Sequence, residues 1–254
     1  MNRCHIDLVL YRGISELRTE ASRAYLGMIW WIVEPVLYVG VFYIVFELGL
    51  RRGGDGFVAY LLCGLVTWKW FDGTVRSSAS IISLSLGLMH QVYLPKYLLP
   101  LSVLVANTIK FWIIFMILCL FLWLDDSLRL GPALWSLPAL MFIQLLLILA
   151  VGGLAAALVP LVPDLRYVVN YGMTMLFFLS GIFFSLSDMS PEAQVLLQFN
   201  PMLVLIDAYR AVLLHGAWPE LYPLVRIALA SFAVLLLVAA LFLRFDRVYP
   251  RVVG

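Results

Sequence analysis

The sequence predicts an all-α integral membrane protein with six transmembrane helices. Of its 254 residues, 64% are hydrophobic and 13% are charged, and the mean hydropathy is +1.00. Such a composition belongs to a polytopic membrane protein and not to a soluble domain. Long apolar segments recur along the chain, each with enough residues to cross the hydrocarbon core at about 1.5 Å per residue. Since six spans leave few residues outside the membrane, we expect residues 1–254 to form a single transmembrane domain.

An amphipathic helix is predicted over residues 5–24, ahead of the first span. The residues that recur at helical spacing near one apolar face are Ile6, Leu10, Ile14, Leu17 and Ala21. The opposite face is charged and carries Arg12, Glu16, Glu20 and Arg23. A helix of this kind lies in the plane of the membrane interface. The alternative is a solvated leader that only orients the first span.

Six spans follow this helix, with approximate boundaries. The predicted ranges are 26–48, a second span that starts near Phe57, and then 101–124, 134–160, 168–186 and 224–243. With the N-terminus placed in the cytoplasm, the cytoplasmic segments hold more of the lysines and arginines than the outer segments. This bias predicts that both termini are cytoplasmic.

Several polar side chains fall inside or near the predicted spans. They are Glu34, Lys69, Asp72, Lys110, Asp207 and Arg210. A charged side chain costs about 2.5–3.5 kcal/mol at the centre of a spanning helix, so we expect these groups to face the bundle interior or a cavity. Lys69 and Asp72 lie three residues apart on the second span and share a helix face. They can therefore pair with each other or meet an anionic group such as a diphosphate.

Two short helices on the outer face are predicted for residues 188–216, which lie between the fifth and sixth spans. Pro191 suits the first turn of one helix, and Pro201 ends it because the residue before a proline is pushed out of the α region. Neither helix is long enough to cross, so we expect a re-entrant pair that is buried in protein or faces a water-filled cavity. Asp207 and Arg210 can form an ion pair at this gate, or only stabilise their own helix. The residues predicted to form the gate are Pro191, Asn200, Pro201, Asp207 and Arg210.

Motifs for several chemistries are absent from the sequence. No GxxxxGK[ST] loop is present, which argues against nucleotide hydrolysis by that mechanism. The three histidines and three cysteines are scattered, so neither a metal site nor a disulfide framework is predicted. Asp125-Asp126 is more typical of a solvated turn than of a magnesium site, and no basic run suggests nucleic acid. We therefore expect no catalytic residue, metal or cofactor on this chain.

A series of short motifs runs in order along the chain: Tyr25-Leu26-Gly27 with Trp30 and Glu34-Pro35, Pro95 with Pro100, Asp164, Ser180-Gly181-Ile182, and Asn200-Pro201 with Tyr209-Arg210. By these residues the chain resembles the permease subunits of type-2 ABC exporters, specifically the bacterial polysaccharide-export group. The resemblance covers essentially the whole sequence, but near His90 the basic character is reduced, and the proline often found after Ser180-Gly181-Ile182 is missing.

This resemblance implies a homodimer of permeases with two separate ATPase subunits, which bind ATP and magnesium. It also implies a cytoplasmic interface helix before the first span and short outer gate helices between the fifth and sixth. The cargo implied is a lipid-linked glycan, of O-antigen or capsule type, exported across the inner membrane. Two alternatives remain: an integral-membrane enzyme that acts on lipid-phosphate sugars, and a small-molecule efflux permease of the same fold.

Two segments are expected to dock on the ATPase, namely helix 5–24 and the elbow at residues 87–100. Both are expected to present cytoplasmic polar surface beside short rigid turns. The predicted docking residues are Arg12, Glu16, Glu20, His90 and Lys96.

A conduit for the glycan is predicted where the second span changes from apolar to polar-faced, at a dimer interface. Aromatic faces make weak contacts with sugar C–H groups that repeat along a polymer, so a chain of sugars slides past them without being trapped. The predicted lining comprises Glu34, Tyr38, Trp68, Lys69, Trp70, Phe71 and Asp72. The alternative is that Lys69 pairs with Asp72 to satisfy a buried helix and that the rings pack in the core.

Overall fold

The structure is a computed structural model that describes residues 3–23, 25, 27–45, 56–85, 87, 94–186, 189–245 and 249. Throughout these ranges the regular secondary structure is helical, which confirms the predicted all-α class. The helices are α1 (Arg3–Arg23), α2 (Trp30–Tyr43), α3 (Phe57–Leu84), α4 (Leu98–Leu124), α5 (Leu137–Leu158), α6 (Leu165–Leu179), α7 (Pro191–Leu197), α8 (Pro201–Leu213) and α9 (Leu221–Phe245). Short 3₁₀ turns precede α2 (Gly27–Ile29) and α5 (Pro132–Ser136).

Three helical segments are long and apolar enough to cross a membrane. They are Leu98–Leu124, Pro132–Leu158 and Leu221–Phe245. Helix α3 is also long, at 28 residues, but Lys69, Asp72 and Arg76 interrupt its apolar sequence. Helix α6 has 15 residues, fewer than the roughly 20 that a span needs, and α2 has 14 within a described helical segment that reaches residue 45. The helices therefore place the chain among multi-pass membrane proteins, and the count of six spans stays a prediction.

The fifth predicted span, 168–186, differs from the helix that forms there. Helix α6 begins at Leu165 and ends at Leu179, so the prediction of one uninterrupted helix to residue 186 is wrong. Gly181 has φ +67°, in the left-handed region that glycine tolerates and a continuing α-helix excludes. The apolar residues that follow turn away as a bend instead of extending the helix.

Helix α3 occupies the centre of the bundle and contacts α2, α4, α5, α6 and α8. Its buried residues include Leu61, Leu65 and Trp68, which are at most 2% exposed. Helix α9 packs chiefly against α5. The core thus joins α3, α4, α5 and α8, while the outer helices attach to this group from the sides.

Helix α1 runs alongside the first half of α4. His5 Nδ1 lies 3.5 Å from the Tyr97 hydroxyl near the start of both helices, and Glu20 pairs with Lys110 near the other end of α1. The two helices therefore run parallel. Of the predicted apolar face, Leu17 is buried, whereas Ile6, Leu10 and Ile14 are 40–45% exposed, and Val9 is also buried.

Candidate functional site

A charged and aromatic cluster joins α2 to α3. Lys69 Nζ lies 2.5 Å from Glu34 Oε1 and 4.5 Å from the centroid of the Tyr38 ring. Glu34 and Tyr38 are four residues apart, so one face of α2 presents both to the lysine. The side chains are partly open, with exposed fractions of 24% for Lys69 and 54% for Glu34. The structure thus brings three of the predicted conduit residues together.

Asp72 pairs with Arg76 and not with Lys69, the partner that its i,i+3 spacing allowed. Its Oδ1 accepts from Nε of Arg76, 2.7 Å away and one turn further along α3. Arg76 also reaches α6, where it donates to the Asn170 carbonyl at 3.0 Å and to the Thr174 hydroxyl at 3.2 Å. The alternative in which Lys69 pairs with Asp72 is therefore wrong, because each of them pairs elsewhere.

A third ion pair lies close to the first. Lys110 of α4 pairs with Glu20 of α1, and Trp31 Nε1 donates to the other oxygen of Glu20 at 3.3 Å. A cavity of about 340 Å³ separates α1, α2, α3 and α4 at this level. Its charged and polar lining includes Glu20, Glu34, Lys69, Asp72 and Lys110, together with Trp31, Trp70, Ser77 and Asn107. Both ammonium groups face glutamates whose side chains are about half exposed.

The predicted aromatic lining divides into buried and accessible rings. Trp68, Trp70 and Phe71 are at most 5% exposed and belong to the core. The Trp70 ring stacks on Phe111 with centroids 4.1 Å apart, and its Nε1 donates to the Thr108 hydroxyl at 3.3 Å. Of the three buried rings, Trp70 borders the cavity just described. Core packing, the alternative considered from the sequence, thus accounts for the placement of Trp68 and Phe71.

A more accessible aromatic series begins at the Lys69–Glu34 pair. Tyr38 lies 6.3 Å from Phe177, which in turn lies 5.3 Å from Phe178 and 5.2 Å from Phe183. Tyr38 and Phe178 are 38% and 56% exposed. The phenylalanines of α6 and the turn after it were not among the predicted conduit residues. The paired phenylalanines at 177–178 and 183–184 are the sequence signal that could have found them.

Residues 189–213 include the two short helices that the prolines predict. Pro191 opens α7, and the chain breaks at Asn200-Pro201 before α8. The Asn200 side chain caps α8 by accepting from the Met202 N–H at 3.0 Å. Its amide also donates to the carbonyl of Leu179 at 3.0 Å, which ties the start of α8 to the end of α6.

Arg210 connects α8 to α3 and to the turn after α6. Its guanidinium donates to the carbonyls of Gly181 (2.7 Å), Ile182 (3.0 Å) and Tyr60 (3.2 Å), and lies 3.3 Å from the Tyr60 ring centroid. Asp207 Oδ1 is 3.4 Å away, which confirms the predicted ion pair. Arg210 is only 2% exposed. We call this group of Arg210, Asp207, Tyr60, Gly181 and Ile182 the Arg210 clamp.

The predicted ATPase-docking residues differ from one another in their burial and in their partners. Arg12 donates to the Ser85 hydroxyl at 2.6 Å. Burial raises the pKa of the Glu16 carboxyl, and the neighbouring charge of Arg12 opposes that shift. Lys96 is 1% exposed and donates to the Leu94 carbonyl at 2.8 Å, so the expectation of exposed polar surface there is wrong. Glu20 is already paired with Lys110, and His90 lies outside the described residues.

The apolar helices and the paired charges between them fit a subunit of a membrane transporter, and comparison with known proteins agrees. The family model for the ABC-2 type transporter matches residues 15–214. The chain therefore belongs to the ABC-2 transporter family, which confirms the resemblance seen in the sequence. Within the described residues, no group of three histidine, cysteine or acidic side chains is placed to hold a metal ion.

Three relatives are similar to this chain over most of its length. The "O-antigen export system permease protein RfbA" of Myxococcus xanthus is 31% identical over 246 residues, which is 92% of each chain. A protein with the same name from Klebsiella pneumoniae is 22% identical over 83% of this chain and 81% of its own length. The "Polysialic acid transport protein KpsM" of Escherichia coli is 24% identical over 90% of each chain.

Proposed function

We propose that this chain is the permease subunit of an ATP-driven exporter that moves a lipid-linked polysaccharide across the bacterial inner membrane. The names of its relatives, in O-antigen export and polysialic acid transport, support the class of cargo. The observation that carries the proposal is the Lys69–Glu34 pair. This pair lies beside Tyr38, the first ring of the accessible aromatic series. A lipid-linked glycan offers both of the groups that such a site suits, an anionic phosphate link and sugar rings.

The weak ion pairs of Lys69 and Lys110 explain how the site recognises a phosphate. An ion pair with a half-exposed carboxylate is worth only about 0–1 kcal/mol, because water screens it. A diphosphate link carries two negative charges against the one of Glu34, and it displaces Glu34 from Lys69 at little cost. Lys110, paired with Glu20 across the same cavity, supplies a second cation for a diphosphate.

Assembly and topology complete the proposal. Two copies of the chain form the pore, each docks a separate subunit that binds ATP and magnesium, and both termini are cytoplasmic. Helix α1 is the interface helix, and α7 with α8 forms the outer re-entrant pair between the fifth and sixth of six spans. The exposed apolar face of α2, on which Val36, Leu37 and Val41 are 57–59% exposed, supports a second copy or lipid against it.

Export in living cells tests the proposed cargo and the conduit together. A strain that lacks the gene should lose surface glycan and accumulate the lipid-linked form inside, as measured by immunoblot of surface-digested and intact cells. The double variant Glu34→Gln with Lys69→Gln removes both charges while keeping groups of similar shape. It should reduce export at least about tenfold, since charged hydrogen bonds to a phosphate are worth about 1.5–3 kcal/mol.

The matched control for this test is Arg226→Gln, an exposed arginine near the outer helices that donates to the Gln198 carbonyl. It should export normally. Full export by the double variant at normal membrane levels would refute the conduit. An unchanged surface glycan in the deletion strain would refute the proposed cargo.

Labelling of single introduced cysteines tests the proposed topology. Glu192→Cys at the start of α7 and Trp218→Cys after α8 should both react with a membrane-impermeant thiol reagent added to the outer side of the inner membrane. The unsubstituted chain measures the background from its natural cysteines. Reaction only from the cytoplasmic side would overturn the outer placement of α7 and α8.

A further inference from the structure

A second cavity, of about 780 Å³, lies between α4 and α9 on a floor formed by α3 and α5. Leu101 and Leu104 form one wall, Leu235 and Phe242 form the other, and Ile148 lies on the floor. Its volume falls within the roughly 300–1,000 Å³ of small-molecule sites. It shares no lining residue with the cavity beside Lys69, so the two are separate.

The shape of this cavity suits a hydrocarbon chain. Leu235, Val238, Ala239 and Phe242 recur along α9 at the spacing of one helix face. At about 1.5 Å per residue this stripe is roughly 10 Å long, within the roughly 15 Å depth of one leaflet of the hydrocarbon core. The Thr74 hydroxyl on the floor is satisfied by the Trp70 carbonyl at 2.7 Å and needs no ligand.

A cation stands at one end of the apolar stripe. Arg244 lies in the last turn of α9, lines the cavity and is exposed. Among the described residues it takes part in none of the ion pairs. A guanidinium binds a phosphate through two parallel hydrogen bonds, and basic pockets between membrane helices bind anionic lipid headgroups.

We propose that this cavity binds an anionic phospholipid of the surrounding bilayer, with an acyl chain between α4 and α9 and its phosphate on Arg244. The occupant is a lipid and not free phosphate, because the lining beyond Arg244 is mostly apolar and its other polar side chains, Thr74, Ser78 and Tyr97, carry no charge. The bound chain fills the gap between two helices that the protein alone leaves open, and so fixes their separation. The proposal depends on the membrane class of the protein and not on its exported cargo.

Lipid binding to the purified full-length chain tests this proposal. Native mass spectrometry of protein in mild detergent should show a retained phosphatidylglycerol, and added phosphatidylglycerol should raise the melting temperature more than phosphatidylcholine does. Arg244→Gln should weaken phosphatidylglycerol binding at least about tenfold, since it removes a charged hydrogen-bonding partner. Arg166→Gln, which changes an exposed arginine outside the cavity lining, is the matched control and should bind as the unsubstituted chain does.

A second pair of variants tests the cavity without touching its charge. Ala239→Phe places a ring among the lining residues and should abolish binding, whereas Ala240→Phe, on an exposed neighbour outside the lining, should not. If Ala239→Phe does not fold, the comparison of Arg244→Gln with Arg166→Gln decides alone. Binding that is equal in both members of each pair would overturn the proposal. Stabilisation by glycerol phosphate equal to that by the lipid, or efficient disulfide-linked dimers of Ala239→Cys in membranes, would also overturn it.

Discussion

A single added methyl group at Gly64 should break the Arg210 clamp. A Cβ atom built on Gly64 lies 2.8 Å from Nη2 of Arg210 and 3.4 Å from Cα of Ile182. The first distance is too short for two non-bonded heavy atoms, so one of them must move. The guanidinium is the end of a long side chain, but the carbonyls of Tyr60, Gly181 and Ile182 hold it in place. It can therefore retreat only by giving up hydrogen bonds.

The size of the effect follows from the bonds on Nη2. That nitrogen donates to the carbonyls of Ile182 at 3.0 Å and Tyr60 at 3.2 Å. A hydrogen bond from a charged group contributes about 1.5–3 kcal/mol, and alanine is better than glycine inside a helix by about 1 kcal/mol. If both bonds are lost, Gly64→Ala should thus lower the free energy of unfolding by about 2–5 kcal/mol. Arg210→Ala should lower it by about 3–5 kcal/mol, because it also leaves Asp207 without its partner.

Reversible unfolding by SDS in mixed micelles, followed by circular dichroism, measures these changes. Gly172→Ala on α6 is the control, because a Cβ there meets no atom within 4 Å, and it should be neutral or stabilising. In a background that already carries Arg210→Ala, Gly64→Ala should cost little, since the atom it collides with is gone. Equal costs of Gly64→Ala in both backgrounds, or a cost no larger than that of Gly172→Ala, would refute this account of the clamp.

Three other changes test local features by the same SDS titration. Asn200→Ala removes the cap of α8 and should cost about 1–2 kcal/mol, whereas a loss below about 0.3 kcal/mol would contradict the capping role. Trp70→Leu removes the ring stacked on Phe111 and should cost about 2–4 kcal/mol, and a neutral result would show that the site repacks. Burial raises the pKa of Glu16, so the folded state binds its proton more strongly, and stability should fall as pH rises above the ordinary carboxyl pKa of about 4.3. Glu16→Gln should remove that part of the pH dependence, and an unchanged profile would contradict it.

Features set by neighbours in the sequence were predictable. The break at Asn200-Pro201 follows from the geometry of the residue before proline, and the Asp207–Arg210 pair follows from i,i+3 spacing. The boundaries of α4 and α9 lie close to those expected, because an apolar helix extends until charge or a turn ends it. In each case the physical cause acts within a few residues along the chain.

Features set by packing between helices were not predictable. Lys69 has Asp72 on its own helix face but pairs with Glu34, because α2 lies beside α3 and presents both Glu34 and Tyr38 to it. Lys96 looks exposed between two prolines, yet it is 1% exposed, and its ammonium group donates to the Leu94 carbonyl only two residues away. No local pattern encodes the approach of α2 to α3, nor the packing that buries Lys96.

The helices differ in how firmly they are attached to α3, and under the proposed function this difference predicts which of them separate during transport. Helix α8 is held by the buried Arg210, whose loss leaves several carbonyls without donors. Helix α2 is held to α3 through Lys69 and the half-exposed Glu34, a pair worth about 0–1 kcal/mol. An anionic headgroup that replaces Glu34 on Lys69 exchanges one weak pair for another of similar strength or better. We therefore expect the boundary between α2 and α3 to open for cargo while the Arg210 clamp keeps α8 fixed to α3.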